Sequence, residues 1–335
     1  MSQKLNRNEY LCQHATAVLS ALNKSGQHSE YLTHYADIKQ TEILAQKLAL
    51  DLKVTQADII LGHGAEDLLV KIFCFYRNKT LWLGNFTWTN YHIIAQGLGI
   101  EVKSFDCVQI KNEFSSNFAP LLNDLQIQSQ LDPLSSALIC ITTPNNPTGH
   151  SVSFEEIEDL IKQFPQHLFL IDAVYDDYPS ALALLPQTYS NAIFLGSFSK
   201  YFGMPGLRVG FAIGNLPAGF NLNLGLAPQS VELCLAALSE KNWYAENRRQ
   251  MMEFAQNLSL HKFENITVFC TNATFILARI ENHLLEEEIF EKAELLSGVI
   301  PKYFQHEGYQ YLRWSLGENK WNEKIIQYLN MIDNT

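Results

Sequence analysis

The residue best placed for covalent chemistry is Lys200, which ends Ser197-Phe198-Ser199-Lys200 directly after the apolar run Ala192 to Leu195. Ligands of α/β sheets bind at strand ends. A lysine shielded from water there keeps a free amine that can attack a carbonyl. Schiff-base chemistry is the functional reading; the bland one is a surface lysine followed by turn glycines at 203, 206 and 210. Eight positions on, Arg208 carries a planar fork of donors suited to an anion. Upstream, the run Leu168 to Ile171 ends in Asp172-Ala173-Val174-Tyr175. A carboxylate at the end of a buried strand is costly unless a cation or donor answers it, and a pyridinium nitrogen would.

Other residues of chemical interest also follow apolar runs. Gly62-His63-Gly64-Ala65-Glu66-Asp67 opens a helix bearing Leu68, Leu69, Ile72 and Phe73. The backbone N–H groups of Gly64, Ala65 and Glu66 there either hold a phosphate or belong to a plain turn. Trp88, after the run Thr80 to Leu83, either covers a flat aromatic ligand or fills core. Ser136 to Thr143 leads into Pro144-Asn145-Asn146-Pro147-Thr148-Gly149, too rich in turn residues to continue a regular element. Ser153-Phe154-Glu155-Glu156 is a capping box that starts a helix with Ile157, Leu160, Ile161 and Phe164 inward.

The elements that must position these residues alternate between strand and helix, the pattern of a mainly parallel sheet with helices on both faces. Strand ends carrying Gly64, Trp88, Asn146, Asp172, Tyr175, Ser197 and Lys200 then converge on one crevice. After Gly214 the pattern changes to two long helical stretches, roughly 229–239 and 242–258, and to strands near 266–269, 275–280 and 311–316. That arrangement predicts a smaller α+β domain. The expected division is a large cofactor-binding domain over 36–225, with 1–35 and 226–335 forming the small domain and N-terminal arm. Arg313, between Leu312 and Trp314, is the residue of the small domain with a chemical role.

A net charge of −11 over 335 residues, from 24 basic and 35 acidic side chains, disfavours a nucleic-acid surface. Six cysteines without a C-x-x-C pair disfavour structural zinc and a disulfide framework, so no metal is expected. The first residues lack the apolar core of a signal peptide, and no run of about 18 apolar residues occurs. A cytoplasmic protein is expected, with no membrane partner.

Taken together, Pro-Asn-Asn-Pro-Thr-Gly at 144–149, Asp-x-x-Tyr at 172–175, and Ser-x-Ser-Lys with arginine eight residues on resemble the pyridoxal-phosphate aminotransferases of fold type I. Within that group the chain most resembles the histidinol-phosphate aminotransferase-like branch, from about Leu5 to Leu329. The resemblance implies pyridoxal 5'-phosphate as cofactor, an amino donor and a 2-oxo acid acceptor, and a homodimer. It implies that Lys200 bonds the cofactor and serves as general acid/base, that Asp172 meets its ring nitrogen, and that Asn146 and Tyr175 hydrogen-bond its ring oxygen. Trp88 is implied to stack on the ring, and Ser197 and Arg208 to hold the phosphate with the Gly64, Ala65 and Glu66 amides. Tyr35 matches the tyrosine given to the partner subunit's phosphate.

Departures from the branch bear on substrate. The arm reads Asn6-Arg7-Asn8-Glu9-Tyr10-Leu11 where the branch usually has Asn-Glu-Asn-Pro-Tyr-Gly, leaving Tyr10 as a candidate substrate residue. Lys302, after Pro301, stands where the family tends to have arginine; it either binds a phosphorylated substrate or is a solvated lysine. Arg313 matches the residue that grips a substrate carboxylate or phosphate. The expectation is transamination of an amino acid or related amine, histidinol phosphate among them. The alternatives are a decarboxylase of the threonine-phosphate type and, from another class, a cofactor-binding regulator, for which the acidic chain has no spare length.

Overall fold

The structure, a computed structural model, describes residues 5–34, 37–131, 135–217, 220, 225–281, 284–296 and 299–334. Eight strands make the larger sheet: Ile59–Gly62 (β1), Leu81–Gly84 (β2), Val102–Ile110 (β3), Glu113–Asn117 (β4), Leu138–Thr142 (β5), Leu168–Asp172 (β6), Ala192–Ser197 (β7) and Gly210–Gly214 (β8). Their order is β1-β8-β7-β6-β5-β2-β3-β4. The central pairings β3/β2, β2/β5, β5/β6 and β6/β7 are parallel, whereas β8 and β4 pair antiparallel with their neighbours. The small sheet is antiparallel, with Ile266–Val268 (β9), Phe275–Ile280 (β10), Lys302–His306 (β11) and Tyr309–Ser315 (β12) in the order β11-β12-β10-β9.

Helices follow the strands: Thr16–Ser25 (α1), Ile38–Leu52 (α2), Ala65–Phe75 (α3), Asn90–Gly97 (α4), Ala119–Leu131 (α5), Phe154–Gln163 (α6), Leu185–Thr188 (α7), Pro228–Ser239 (α8), Lys241–Ser259 (α9), Glu286–Leu295 (α10) and Asn319–Asp333 (α11). The predicted box starts α6: the Ser153 hydroxyl accepts from the Glu156 amide, and the Glu156 carboxylate accepts from the Ser153 amide. Such a cap contributes about 1 kcal/mol. Along the central strands, successive side chains alternate faces. Ile139, Ile141, Phe169 and Ile171 join α6 and α2 through Ile157, Leu160, Leu44 and Leu48. Leu138, Cys140, Leu170 and Leu195 meet Leu68, Ile72 and Phe73 of α3 and Tyr91 of α4 on the opposite face. Both faces are covered, so these strands read as continuous apolar runs.

The small sheet packs Ile276, Ala278, Leu312 and Trp314 against α9, α10 and α11, and the arm adds Leu5 and Leu11 to that cluster. Packing departs from the expected division at 35 and 226. Val18 of α1 and Val231, Cys234 and Ala237 of α8 join the core of the larger sheet, because α1 and α8 pack on each other beside α2. Strands β3, β4 and β11 and helix α5 were not foreseen; β4 and β11 are short edge strands with few buried side chains, which blurs their apolar alternation. Among the described residues no helix is long and apolar enough to cross a membrane.

Candidate active site

Strands β5, β6 and β7 run parallel and end together at Thr142, Asp172 and Ser197. The register continues sideways: Ser197 pairs with Gly210 and Gly210 with Gly62, so the turns before α3 and β8 meet beside Ser197. A cleft of ≈ 760 Å³ opens over this edge, lined on one side by Ala65, Glu66, Trp88, Asn146, Asp172, Tyr175, Ser197, Lys200 and Arg208 and on the other by Asn6, Arg7, Asn8, Lys302, Phe304 and Arg313.

The anion-binding end is built by close approach. A Cβ on Gly210 would lie 2.4 Å from the Ala65 nitrogen, and one on Gly64 would lie 2.6 Å from an Arg208 guanidinium nitrogen. Gly64 also has φ 83, so glycine is required there twice over. The Gly64 amide donates to the Gly62 carbonyl at 2.8 Å, and Gly64 is not among the residues that line the cleft. The first-turn amides of Ala65 and Glu66 have no acceptor among the described hydrogen bonds, as expected at a helix start. Glu66 turns its carboxylate to Asn90 (3.4 Å), and Asp67 accepts from the His63 amide (3.1 Å) and from Lys71 (2.8 Å). Arg208 donates to the Pro205 carbonyl at 3.3 Å, and Ser197 Oγ accepts from the Ser199 amide at 2.9 Å.

At the floor, Asp172 accepts from the Tyr91 hydroxyl (2.6 Å) and the Val174 amide (3.2 Å). Burial pushes its carboxyl up to about 6, against the pull of those two donors. No salt bridge reaches Asp172 among the described residues. Trp88 is half-buried on the cleft wall, edge-on to Tyr91 at 5.3 Å. Tyr91 was not singled out in the sequence; its hydroxyl also accepts from Thr142 at 3.1 Å. Lys200 Nζ lies 5.4 Å from the Tyr175 ring centroid and donates to the Asn8 carbonyl at 3.0 Å. Asn8 Nδ2 donates to the Tyr175 hydroxyl at 2.8 Å, a second contact absent from the sequence reading.

Across the cleft, Lys302 of β11 pairs directly with Arg313 of β12, so the two side chains leave the same face. Lys302 is thus an exposed strand residue on the cleft rim. Arg313 is buried, donates to Asn146 Oδ1 and to the Asn6 carbonyl (3.0 Å), and lies 5.2 Å and 5.3 Å from the Phe275 and Phe304 ring centroids. Burial pulls its pKa down to about 10, and its Nε has no partner among the described residues. A buried guanidinium without a carboxylate is a ready anion site. Tyr10 does not line this cleft: its ring packs where a Gly203 Cβ would sit, 2.1 Å away, and its hydroxyl accepts from Asn247 at 2.7 Å. Tyr35 lies outside the described residues.

These groups fit pyridoxal 5'-phosphate on donor chemistry: an arginine and helix-start amides for its phosphate, an unpaired buried carboxyl for its ring nitrogen, and an amine for its aldehyde. The chain matches the family "Aminotransferase class I and II" over residues 3–302. It is similar to a histidinol-phosphate aminotransferase of Francisella philomiragia, 27% identical over 327 residues that cover 92% of this chain and 87% of that protein. Its fold matches the histidinol-phosphate aminotransferase of Sinorhizobium meliloti in complex with pyridoxal-5'-phosphate, at TM-score 0.77 and 17% identity over 100% of this chain and 91% of that one. It likewise matches the L-threonine-O-3-phosphate decarboxylase of Porphyromonas gingivalis, at TM-score 0.76 and 17% identity over 99% of both chains. The match over residues 3–302 and the motifs at the cleft make this chain a member of the class I and II aminotransferases, a transaminase that works with pyridoxal 5'-phosphate.

Proposed function

We propose that the protein moves an amino group from an amine bearing an anionic group, with histidinol phosphate as the first candidate, to a 2-oxo acid at the cleft around Lys200. The observation that carries the proposal is the convergence of Lys200, Asp172 and Arg208 on one side and Arg313 on the other of a single cleft. Histidinol phosphate comes first because curated relatives matching most of the chain carry that name.

The cofactor's phosphate has Arg208, Ser197 and the amides of Ala65 and Glu66 to receive it, with Trp88 against the ring face. When bound, pyridoxal 5'-phosphate supplies an electron sink that stabilises negative charge at the carbon losing its proton. Asp172, ionised above about pH 6, suits the ring nitrogen, and Tyr91 holds that carboxylate still. Asn146 gives its oxygen to Arg313, which leaves its Nδ2 free to donate to the ring oxygen beside Tyr175. Lys200 would provide the amine for covalent attachment and, as a free amine, a base that holds and moves a proton at the donor's carbon. Arg313 takes the donor's anion in a planar fork, with Lys302 adding a second, movable charge.

A homodimer belongs to the same proposal, with Tyr35 serving the neighbouring subunit. The exposed apolar side chains of Ile38 and Ile43 on α2, 60% and 51% exposed, and of Ile93 on α4, 60% exposed and lining the cleft, support it. The testing experiment is a donor screen followed by the absorbance change of the bound cofactor, with carbon dioxide measured in parallel. Amine transfer from histidinol phosphate supports the proposal. Transfer from other donors alone removes that substrate, and carbon dioxide release without consumption of the 2-oxo acid would make the protein a decarboxylase.

A further inference from the structure

The N-terminal arm crosses the cleft between two anchors. The Leu5 carbonyl accepts from both the amide (2.8 Å) and the hydroxyl (3.0 Å) of Ser315, and Leu11 bridges to Gly317, where an added Cβ would stand 2.3 Å from that of Leu11. Between them the Asn6 carbonyl accepts from Arg313. Asn8 is 4% exposed with φ 53, a left-handed conformation that asparagine tolerates better than most side chains. Its carbonyl receives Lys200 Nζ and its side-chain amide reaches the Tyr175 hydroxyl.

A tyrosine hydroxyl has one hydrogen and accepts through its lone pairs. Accepting the Asn8 amide hydrogen leaves that one hydrogen for another acceptor, and Tyr175 Oη donates to none among the described hydrogen bonds. From this we infer that Asn8 is a positioning residue, seating the Lys200 amine with its carbonyl and turning the Tyr175 hydroxyl with its amide so that the hydrogen faces the cofactor's ring oxygen. The inference rests on the cofactor reading above. The charged groups around the pair are Lys200, Arg313, which feels Tyr175 electrostatically, and Arg248, which donates to the Tyr175 carbonyl at 3.2 Å. None of them accepts a proton from the hydroxyl, so a cofactor oxygen has no competitor among them.

The test is a spectrophotometric pH titration of the holoenzyme together with the cofactor dissociation constant. A donor to the ring oxygen would compete with the proton shared between that oxygen and Lys200 Nζ. Losing the donor raises the pH at which that proton leaves. Asn8→Gly keeps the backbone conformation and carbonyl but deletes the amide; Asn8→Asp keeps the shape but replaces the donating nitrogen with an acceptor. Both should raise the titration midpoint by roughly one pH unit, equivalent to about 1.4 kcal/mol, while cofactor still binds. Tyr175→Phe should raise it as well, and Asn8→Gly should add nothing in the Tyr175→Phe background. A Tyr175→Phe shift with no Asn8→Gly shift, additive shifts, or a downward shift on Asn8→Gly, as when Asn8 accepts from Tyr175 instead, overturns the role of Asn8 and leaves the cofactor reading standing. A wild-type protein with no titrating cofactor band overturns both.

Discussion

Replacing Asp172 by asparagine should stabilise the cofactor-free protein at neutral pH while abolishing transamination. The carboxyl is fully buried, and burial raises it from 3.8 to about 6 although Tyr91 and Val174 both donate to it. The sign follows from linkage: a folded carboxyl that holds its proton more tightly than the unfolded one makes the fold less stable as pH rises from 3.8 through about 6. Above that window the cost is complete, roughly 3 kcal/mol. Asparagine carries no charge but leaves an amide hydrogen facing the Tyr91 hydroxyl, a loss of about 1 kcal/mol. The net gain is about 2 kcal/mol near pH 8, falling close to zero near pH 4.5, where most of the ionisation cost has gone. For a chain of this size that is a rise in melting temperature of about 3 °C at the higher pH. Calorimetry of the cofactor-free wild type and Asp172→Asn at both pH values measures it. An asparagine variant that melts no higher than wild type near pH 8, or gains equally at both, refutes the claim that Asp172 sits as an unanswered buried charge.

Three further outcomes follow from the same geometry. Arg313→Lys keeps the charge beside Asn146 but loses the fork, so KM for the donor should rise by roughly tenfold or more, as expected for a charge-assisted bond, with the resting cofactor spectrum unchanged; an unchanged KM removes Arg313 from the substrate site. Gly64→Ala places a Cβ 2.6 Å from the Arg208 guanidinium at φ 83, which should displace Arg208 and weaken cofactor retention by roughly tenfold or more through strain of about 1–3 kcal/mol, a value that equilibrium dialysis reads directly. Mixing Tyr35→Phe with Lys200→Ala subunits should give hybrid dimers with one intact site and restore part of the activity; verified subunit exchange without recovery places Tyr35 in its own subunit's site or argues against the dimer.

The cofactor side of the cleft was legible because its residues lie in short motifs at the ends of strands, and parallel strands bring such ends together without further information. Asp172, Ser197 and Lys200 needed only the alternation of strand and helix to be placed on one edge. Tyr91 was illegible for the opposite reason: it starts an ordinary amphipathic helix, and only the packing of α4 on the sheet brings its hydroxyl to Asp172, 81 residues away. Asn8 had no local signal, since its partners are 167 and 192 residues distant. Tyr10 was drawn to the substrate side by its place in the arm, yet the missing side chain at Gly203 offered its ring a closer pocket. For Lys302 the sequence left a solvated lysine as open as a ligand, because β11 is an edge strand with its lysine and glutamine exposed. Cross-strand register with Arg313, which no sequence pattern displays, is what brings it to the cleft.

The most direct measurement of the central claim is to reduce the holoenzyme with borohydride, digest it and locate the pyridoxyl group by mass spectrometry, with Lys200→Ala treated in parallel. The account predicts one labelled peptide, carrying the group on Lys200, and no stable label in Lys200→Ala although cofactor still binds. Label on another lysine, or equal labelling of Lys200→Ala, would contradict it.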